Sequence, residues 1–485
     1  MAVRAGAASF AGVEHESERA MQQAPTDLTP LTALEHQEAH RFGRTVLRAG
    51  MVTLGAHVLS QVVRLCGNLI LTRLLVPEAF GVMLVAGVVL IGLTLLTDVG
   101  LRQVVVRSPR AGRPDFLNTV WTLQILQGCF IAAVLLVASG AIPVAARMGW
   151  IPAGSTLASP DVPWVMGWMS VTALLIAFES TKMHMAIRNL QLGRLAIIDL
   201  GAQLAALGVM LAWVRISPGV GALVAGAWAA AACRTLATHL VLEGQPNRLQ
   251  YDGAAAREVL SFGAPILLTS CLGFAVAHGD KLLLGGLLSA KAMGSYAIGF
   301  LLVAAFHDVL TRLLAHVAYP AISGAVARDP GALRASYLRM RSNIDMACLI
   351  GAGLLASCGD VIVALLYDAR YSDAGTYLRI LALSLLGLRY RVLSQVFLVI
   401  GRPRLLLYEQ VTHAVCLVPA IFIGLRIHGV IGAVWGVALS YVLAQFWNVF
   451  HLQRKLGLFS AEVEWQGVLV FAAAAGTGMV ARLWI

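Results

Sequence analysis

The sequence predicts an all-α polytopic membrane protein with about thirteen transmembrane helices, in two six-helix bundles related by an axis along the membrane normal. Three observations predict it. Of 485 residues, 59% are apolar and only 13% charged, with a mean hydropathy of +0.78, too apolar for a soluble globular domain. The apolar residues fall in runs of roughly 18 to 25, each long enough at about 1.5 Å per residue to cross a hydrocarbon core about 30 Å thick. Finally, the runs repeat themselves after six spans.

Residues 1–48 form a polar tail with acids at Glu14, Glu16 and Glu18 and no apolar core, so no cleavable signal peptide is expected and the first span inserts the chain. Charged and Pro/Gly-rich breaks place spans near 50–74, 82–101, 117–139, 162–180, 194–214 and 219–242, the first bundle (49–242). A polar cytoplasmic linker, 243–258, carries Gly244, Pro246, Asn247 and Gly253. The second bundle (259–453) has spans near 259–287, 294–320, 343–366, 376–400, 404–425 and 429–452, and residues 454–485 add a loop and a further helix near 466–484.

The net charge of +11 fits the enrichment of basic residues in cytoplasmic loops better than a nucleic-acid partner, and none is expected. With the N-terminus inside, the near N-tail (Arg41, Arg44, Arg48) and the cytoplasmic loops hold 20 basic residues, including Arg102, Arg107, Arg110, Arg113, Arg328, Arg334, Arg339 and Arg341, against nine outside. This bias predicts a multi-pass membrane protein with a cytoplasmic N-terminus and a C-terminus on the opposite side. The longest external loop, near 140–161, is too short for an extracytoplasmic domain. That disfavours a multispan membrane glycosyltransferase or polysaccharide ligase, which needs external loops to hold acceptor and catalytic groups.

Seven cysteines are scattered among the runs with no C-x-x-C spacing and read as small buried apolar residues. His36 and His40 lie four apart in the polar tail without the H-E-x-x-H order, so no metal is expected. Neither a P-loop nor another cofactor motif occurs, and no cofactor is expected. Gly432 and Gly436 in a G-x-x-x-G pattern predict close helix packing within the fold.

The repeat is read from two connections. Leu74-Leu75-Val76-Pro77-Glu78-Ala79-Phe80-Gly81 follows the first span and Leu287-Leu288-Ser289-Ala290-Lys291-Ala292-Met293-Gly294 the seventh. Two Leu, the Ala and the Gly coincide at one offset, which also lays the first span on the seventh and the second on the eighth. An even number of spans separates them, so both halves enter the membrane in the same sense.

The stretch Gln61-Val62-Val63-Arg64-Leu65-Cys66-Gly67-Asn68, then Leu71-Thr72-Arg73-Leu74-Leu75-Val76-Pro77-Glu78-Ala79-Phe80-Gly81, resembles the opening of Wzx-type oligosaccharide flippases of the polysaccharide transporter family, within the multidrug/oligosaccharidyl-lipid/polysaccharide exporter superfamily. Leu96-Thr97-Asp98-Val99-Gly100-Leu101 and Val104-Val105-Val106-Arg107 extend the resemblance, which covers the chain well as far as the end of that second stretch. It implies movement of an undecaprenyl-diphosphate-linked oligosaccharide from the cytoplasmic to the periplasmic leaflet of a bacterial inner membrane by alternating access, without covalent chemistry, and places the C-terminus in the periplasm. The partners implied are that substrate, membrane lipid, and polysaccharide polymerase and export proteins.

Five basic residues fall inside spans: Arg64, Arg234, Arg312, Arg389 and Arg391. Each costs about 2.5 to 3.5 kcal/mol to insert, so they should face a bundle interior or a wet cavity. Arg64 lies about 16 Å from the outer boundary, near mid-membrane. It is either an anion site, guanidinium being suited to phosphate oxygens, or half of an ion pair. Arg312, Arg389 and Arg391 complete the candidate diphosphate and sugar cavity. Arg389 and Arg391 point about 200 degrees apart on a helix, so one of them faces it and Glu409 is available to neutralise the other. Asp308 is expected to pair with Arg312 one helical turn on, and Lys281 beside Asp280 to snorkel outward. Asp280 and Asp308 are the candidate ion-coupling carboxylates, while Asp98 and Asp360 read as span-end residues.

The leading expectation is therefore a lipid-linked oligosaccharide flippase serving exopolysaccharide or surface polysaccharide biosynthesis, with an electropositive cavity and the polyprenyl tail left in lipid between bundles. A multidrug and toxin extrusion type antiporter shares the fold, but its cationic substrates call for an acidic cavity.

Overall fold

Prolines and short polar side chains set where the helices begin. Pro77 and Pro114 occupy the first turns of helices Pro77–Leu96 and Pro114–Arg147, where a missing N–H costs nothing. Ser289 and Asp252 instead cap helices Ala290–Leu313 and Gly253–Leu287 by accepting from the backbone N–H groups of Ala292, and of Ala254 and Ala255. The computed structural model describes residues 55–483 apart from 57 and 403. The tail with His36, His40, Arg41, Arg44 and Arg48 lies outside the described residues, and so do the side chains of Arg312 and several neighbours.

Every regular element among the described residues is helical. Among them, ten helices are long and apolar enough to cross a membrane, eleven if the bent pair Asp161–Ala177 and Lys182–Arg188 counts as one span. The fold is thus all-α and polytopic. Many large apolar side chains point outward, among them Val137, Ile197, Leu236 and Leu365, as expected where lipid is the solvent.

The repeat is visible in the elements themselves. The offset that carries Leu75 onto Leu288 also carries the start of helix Pro77–Leu96 onto that of helix Ala290–Leu313, and the 3-10 turn Thr156–Ala158 onto the 3-10 turn Ala369–Tyr371. The contacts repeat too. A Cβ added at Gly81 would collide with the Ala290 carbonyl oxygen, and one at Gly294 with the Pro77 carbonyl oxygen. Each contact is the other one under the same offset, which takes Gly81 to Gly294 and Pro77 to Ala290. Only glycine lets the two helix N-termini approach so closely. Beside them the Leu75 carbonyl accepts from the Tyr371 hydroxyl at 2.9 Å. Its counterpart, the Leu288 carbonyl, accepts from the N–H and hydroxyl of Thr156 at 2.6 and 2.8 Å.

Several runs depart from simple spans. Helix Pro114–Arg147 continues past the expected end near 139, and the loop after it folds back through Thr156 onto Leu288. The expected span 162–180 breaks after Ala177 and resumes at Lys182 with a 59° bend; here Glu179, Ser180 and Thr181 are buried. The expected span 376–400 consists of Ser372–Ala382, Leu385–Leu388, a 3-10 turn Arg389–Arg391, and Val392–Val399. The run Arg404–Lys455 holds two arms. His428 and Gly429 leave helical geometry, Gly429 with φ of 59°. Gly424 then faces Gly432, and Gly436 faces Ala420, backbone against backbone, so Gly432 and Gly436 serve packing inside the fold.

The linker is laced to the first half. Asn118 accepts from the Arg248 N–H at 3.0 Å and donates to Gln250 at 3.1 Å; Ser180 donates to Asn247 at 2.5 Å. Helix Gly253–Leu287 begins earlier than the expected boundary at 259, because Asp252 both caps it and receives Arg110 at 2.9 Å. Among the described cysteines none is disulfide-bonded, yet only Cys348 is buried, and Cys66 and Cys129 are exposed. The expectation that they fill the interior holds for Cys348 alone, since the outer surface of this fold is itself apolar.

Candidate functional site

A cavity of about 1130 Å3 lies where the two halves meet. From the first half, helix 58–74 brings Arg64 and Asn68, helix Pro77–Leu96 brings Met83, Leu84 and Val88, and helix Leu192–Val214 brings Gln203, Leu207 and Met210. From the second come Lys281, His307 and Asp308, then Arg391 and Gln395, then Glu409, Gln410, His413 and Gln445 of the two-armed run. Pockets for drug-sized ligands run from about 300 to 1,000 Å3, so this one admits a ligand at or beyond the upper end of that class.

Arg64 and Asp308 both line this cavity and face each other across the seam at 3.5 Å, each side chain 43% exposed. Gln61 donates to the same carboxylate at 3.2 Å. The ion-pair alternative for Arg64 is therefore present, yet the pair is wet, and an incoming anion can compete for the guanidinium. The described hydrogen-bond partners of Asp308 come from the first half, and on its own helix His307 Nδ1 lies 4.0 Å from the carboxylate. Arg391 also lines the cavity and is exposed; no acidic partner for it occurs among the described residues.

Arg389 is a correction to the expected set. It is buried outside the cavity, 2.7 Å from Asp345 and 3.2 Å from Glu464, with Tyr390 stacked against it at 4.9 Å. Arg341, expected in a cytoplasmic loop, is fully buried in the same network, bonded to Asp345 at 3.3 Å and to Glu464. The network ties helix Leu333–Leu366 and the Arg389–Arg391 turn to the last helix, Ala461–Leu483. Unpaired, such buried guanidinium groups would cost several kcal/mol; paired with carboxylates they are held at roughly break-even. Glu409 has no part in neutralising Arg389: it accepts from Ser394 and Gln445, each at 2.7 Å. Arg234 is likewise committed elsewhere, to Glu179 at 3.2 Å and Asp199 at 3.5 Å.

Asp280 is sealed. It is 1% exposed, does not line the cavity, and is held by Lys281 at 2.9 Å and the Tyr296 hydroxyl at 2.5 Å. Lys281 does not snorkel; at 2% exposure its ammonium lies 3.7 Å over the Phe300 ring, because carboxylate, carbonyl and aromatic face together replace water. Asp98 accepts from the Gly100 N–H at 2.8 Å, a local turn contact, whereas Asp360 is no mere span-end residue: it joins helices, pairing with Arg482 at 2.5 Å and Arg379 at 3.7 Å.

Among the described residues the cavity is not electropositive. Arg64, Lys281 and Arg391 are matched in number by Asp308, Glu409 and the Asp280 beneath Lys281. What it offers is a dense array of amides, imidazoles and hydroxyls around locally exposed guanidinium groups. His278, His307, His413, Gln410 and Gln445 escape the sequence reading, although polar residues inside apolar runs are themselves a site signal.

Comparison with solved structures places this fold among transporters. The TM-score is 0.62 with the lipid II flippase MurJ in an inward closed conformation, at 12% identity over 89% of this chain and 92% of that one. It is 0.56 with a multidrug resistance MATE family transporter of the MOP superfamily in an inward-facing conformation, at 14% identity over 88% and 99%. A MOP superfamily transporter from Pyrococcus furiosus, whose description notes a reversed polarity of the binding pocket, gives 0.50 at 13% identity over 85% and 95%. The fold is the one these MOP superfamily transporters share. The family model for polysaccharide biosynthesis proteins matches residues 70–376, and the chain belongs to that family. No curated protein sequence matches it significantly.

Proposed function

We propose that the protein flips an undecaprenyl-diphosphate-linked oligosaccharide from the cytoplasmic to the periplasmic leaflet of a bacterial inner membrane, ahead of polymerisation and export of a surface polysaccharide. The observation that carries this reading is Arg391, a cavity guanidinium with no acidic partner among the described residues, set among amides and imidazoles of the second half. A diphosphate needs such a donor, and sugar hydroxyls need the amides. Arg64 supplies a second donor when the anion displaces Asp308, and Asp308, freed in that exchange, is the carboxylate placed to carry a coupling ion. Arg312 keeps its candidate role, and Asp280, sealed under Lys281, loses its place in direct coupling. The two halves rock about the seam at Gly81 and Gly294, with the N-terminus inside and the C-terminus outside.

The test is a deletion strain complemented with wild type, Arg391→Ala or Arg391→Lys. Deletion should abolish the surface polymer and accumulate the polyprenyl-diphosphate intermediate, and Arg391→Ala at normal abundance should fail to restore the polymer. Asp308 and Glu409 in the cavity favour a second reading, a cation antiporter. Unchanged lipid intermediates with raised sensitivity to cationic dyes would select it.

A further inference from the structure

The two halves repeat in backbone but not in chemistry. His307, Asp308, Arg391, Glu409, His413 and Gln445 line the cavity from the second half. Moved back by the repeat offset they become Thr94, Leu95, Phe178, Ala196, Leu200 and Ala232, apolar but for one threonine. The first half accordingly turns toward the cavity a wall of Leu71, Met83, Leu84, Val88, Leu207 and Met210, with Arg64, Asn68 and Gln203 at its polar positions. A ligand that was polar throughout would leave this wall in contact with nothing but water or hydroxyls and forgo the gain that covering apolar surface brings.

We infer that the cavity is divided between two parts of one amphiphile: the second half binds its anionic, hydroxylated end, and the first-half wall receives the isoprenyl units nearest the diphosphate. The inference rests on the flippase reading and refines it, since only the distal part of the tail then remains in lipid. Three features of the wall support it. Met83 and Met210 are unbranched and adapt to a methyl-branched chain of irregular outline. The apolar wall and the Arg391 wall belong to one continuous cavity, so one ligand can touch both. Arg64 and Asn68, on the first-half helix 58–74, lie at the border between the two surfaces, where a phosphate joined to an apolar chain requires donors.

The experiment measures binding of two water-soluble probes to the full-length purified protein: inorganic diphosphate and a ten-carbon isoprenyl diphosphate. Wild type should bind the isoprenyl diphosphate at least tenfold more tightly. Met210→Gln and Leu84→Gln should each remove most of that ratio while leaving inorganic diphosphate within about twofold, and Met210→Leu should preserve it. Arg391→Ala should weaken both probes together. Equal affinity of wild type for the two probes overturns the inference and leaves the flippase reading standing; because this comparison needs no variant, it decides the matter even where a glutamine substitution fails to fold. A preserved ratio in well-folded Met210→Gln and Leu84→Gln overturns it as well. Failure of wild type to bind either probe overturns the diphosphate reading, and the inference with it.

Discussion

The guanidinium of Arg64 and the carboxylate of Asp308, 244 positions apart in the chain, stand 3.5 Å from one another across the seam between the two repeats. Both are nearly half exposed, and Gln61 donates to the same carboxylate at 3.2 Å, so the pair is fastened yet open to the cavity. Replacing one leaves an unmatched charge in the cavity wall; exchanging both preserves the match. Arg64→Asp and Asp308→Arg should each abolish polysaccharide output, and the double variant should recover protein abundance to near wild type. Its output should stay low, because a carboxylate then stands at position 64, where the phosphate joined to the apolar chain needs a donor. Immunoblots and polymer measured on the same four strains check both parts. A double variant as poorly expressed as the singles would show that the pair is not formed in the membrane.

The reciprocal contacts of Gly81 with Ala290 and Gly294 with Pro77 hold the two halves together at one end of the seam. Gly81→Val or Gly294→Val must push the helix N-termini apart, and overpacking of this kind costs about 1 to 3 kcal/mol. The pseudo-symmetry predicts that the two substitutions behave alike: each should lower the thermal midpoint of the purified protein by a similar amount, and each should raise labelling of a cysteine placed at Leu71 on the adjacent cavity wall. Opposite effects on labelling would show that the two contacts do different work.

How much of this is legible in the sequence depends on the distance over which a residue is constrained. The apolar runs can be read because the bilayer imposes length and polarity on each separately, and the repeat because Leu75 and Gly81 recur at Leu288 and Gly294. The placing of Arg64 within a helix of the first half follows from its apolar run. Its partner does not, because Arg312, one turn from Asp308, offers a cation far nearer in the chain than Arg64. Opposed directions for Arg389 and Arg391 indicate that one must leave the cavity; which one is decided by Asp345 and Glu464, brought together by helices that the sequence does not show as neighbours. Asp280 reads as accessible because sealing it takes Lys281, Tyr296 and Phe300 at once.

Outside the membrane, Arg110 meets Asp252 at 2.9 Å and Glu258 at 3.3 Å, fastening the linker to the first half. The backbone N–H of Ala254, then the Arg110 side chain, hold the Asp252 carboxyl below the usual aspartate range. A carboxyl depressed in the folded protein adds stability that is full above its unfolded value of about 3.9 and is lost as pH falls through the folded value. The thermal midpoint of wild type should therefore drop further than that of Asp252→Asn between pH 6 and pH 3, the two curves converging at the acid end. Parallel curves would show that Asp252 contributes no pH-dependent stability. Both partners are solvent-accessible, so the difference at pH 6 should also shrink with added salt.

Arg389 and Arg391 are separated by one residue and should fail in different ways. Arg389 shares Asp345 and Glu464 with the fully buried Arg341, and removing one member of such a cluster leaves an uncompensated buried charge worth about 3 to 5 kcal/mol. Arg389→Ala and Arg341→Ala should thus lower abundance and thermal midpoint strongly, and protease should release the segment containing the last helix, Ala461–Leu483, because the network is what fastens its Glu464 to Leu333–Leu366. The exposed Arg391 carries no such penalty, so Arg391→Ala should fold and melt as wild type does. Its defect should appear only in transport, as accumulated polyprenyl-diphosphate intermediate at unchanged protein level. Lysine sharpens the contrast: Arg391→Lys keeps a cation in the cavity and should retain part of the activity, whereas Arg389→Lys loses the paired N–H donors that satisfy two carboxylates and should remain unstable. Melting curves and lipid extracts from these variants separate the roles. A stable Arg389→Ala protein that lacks transport would return Arg389 to the binding site, and an unstable Arg391→Ala protein would take Arg391 out of it.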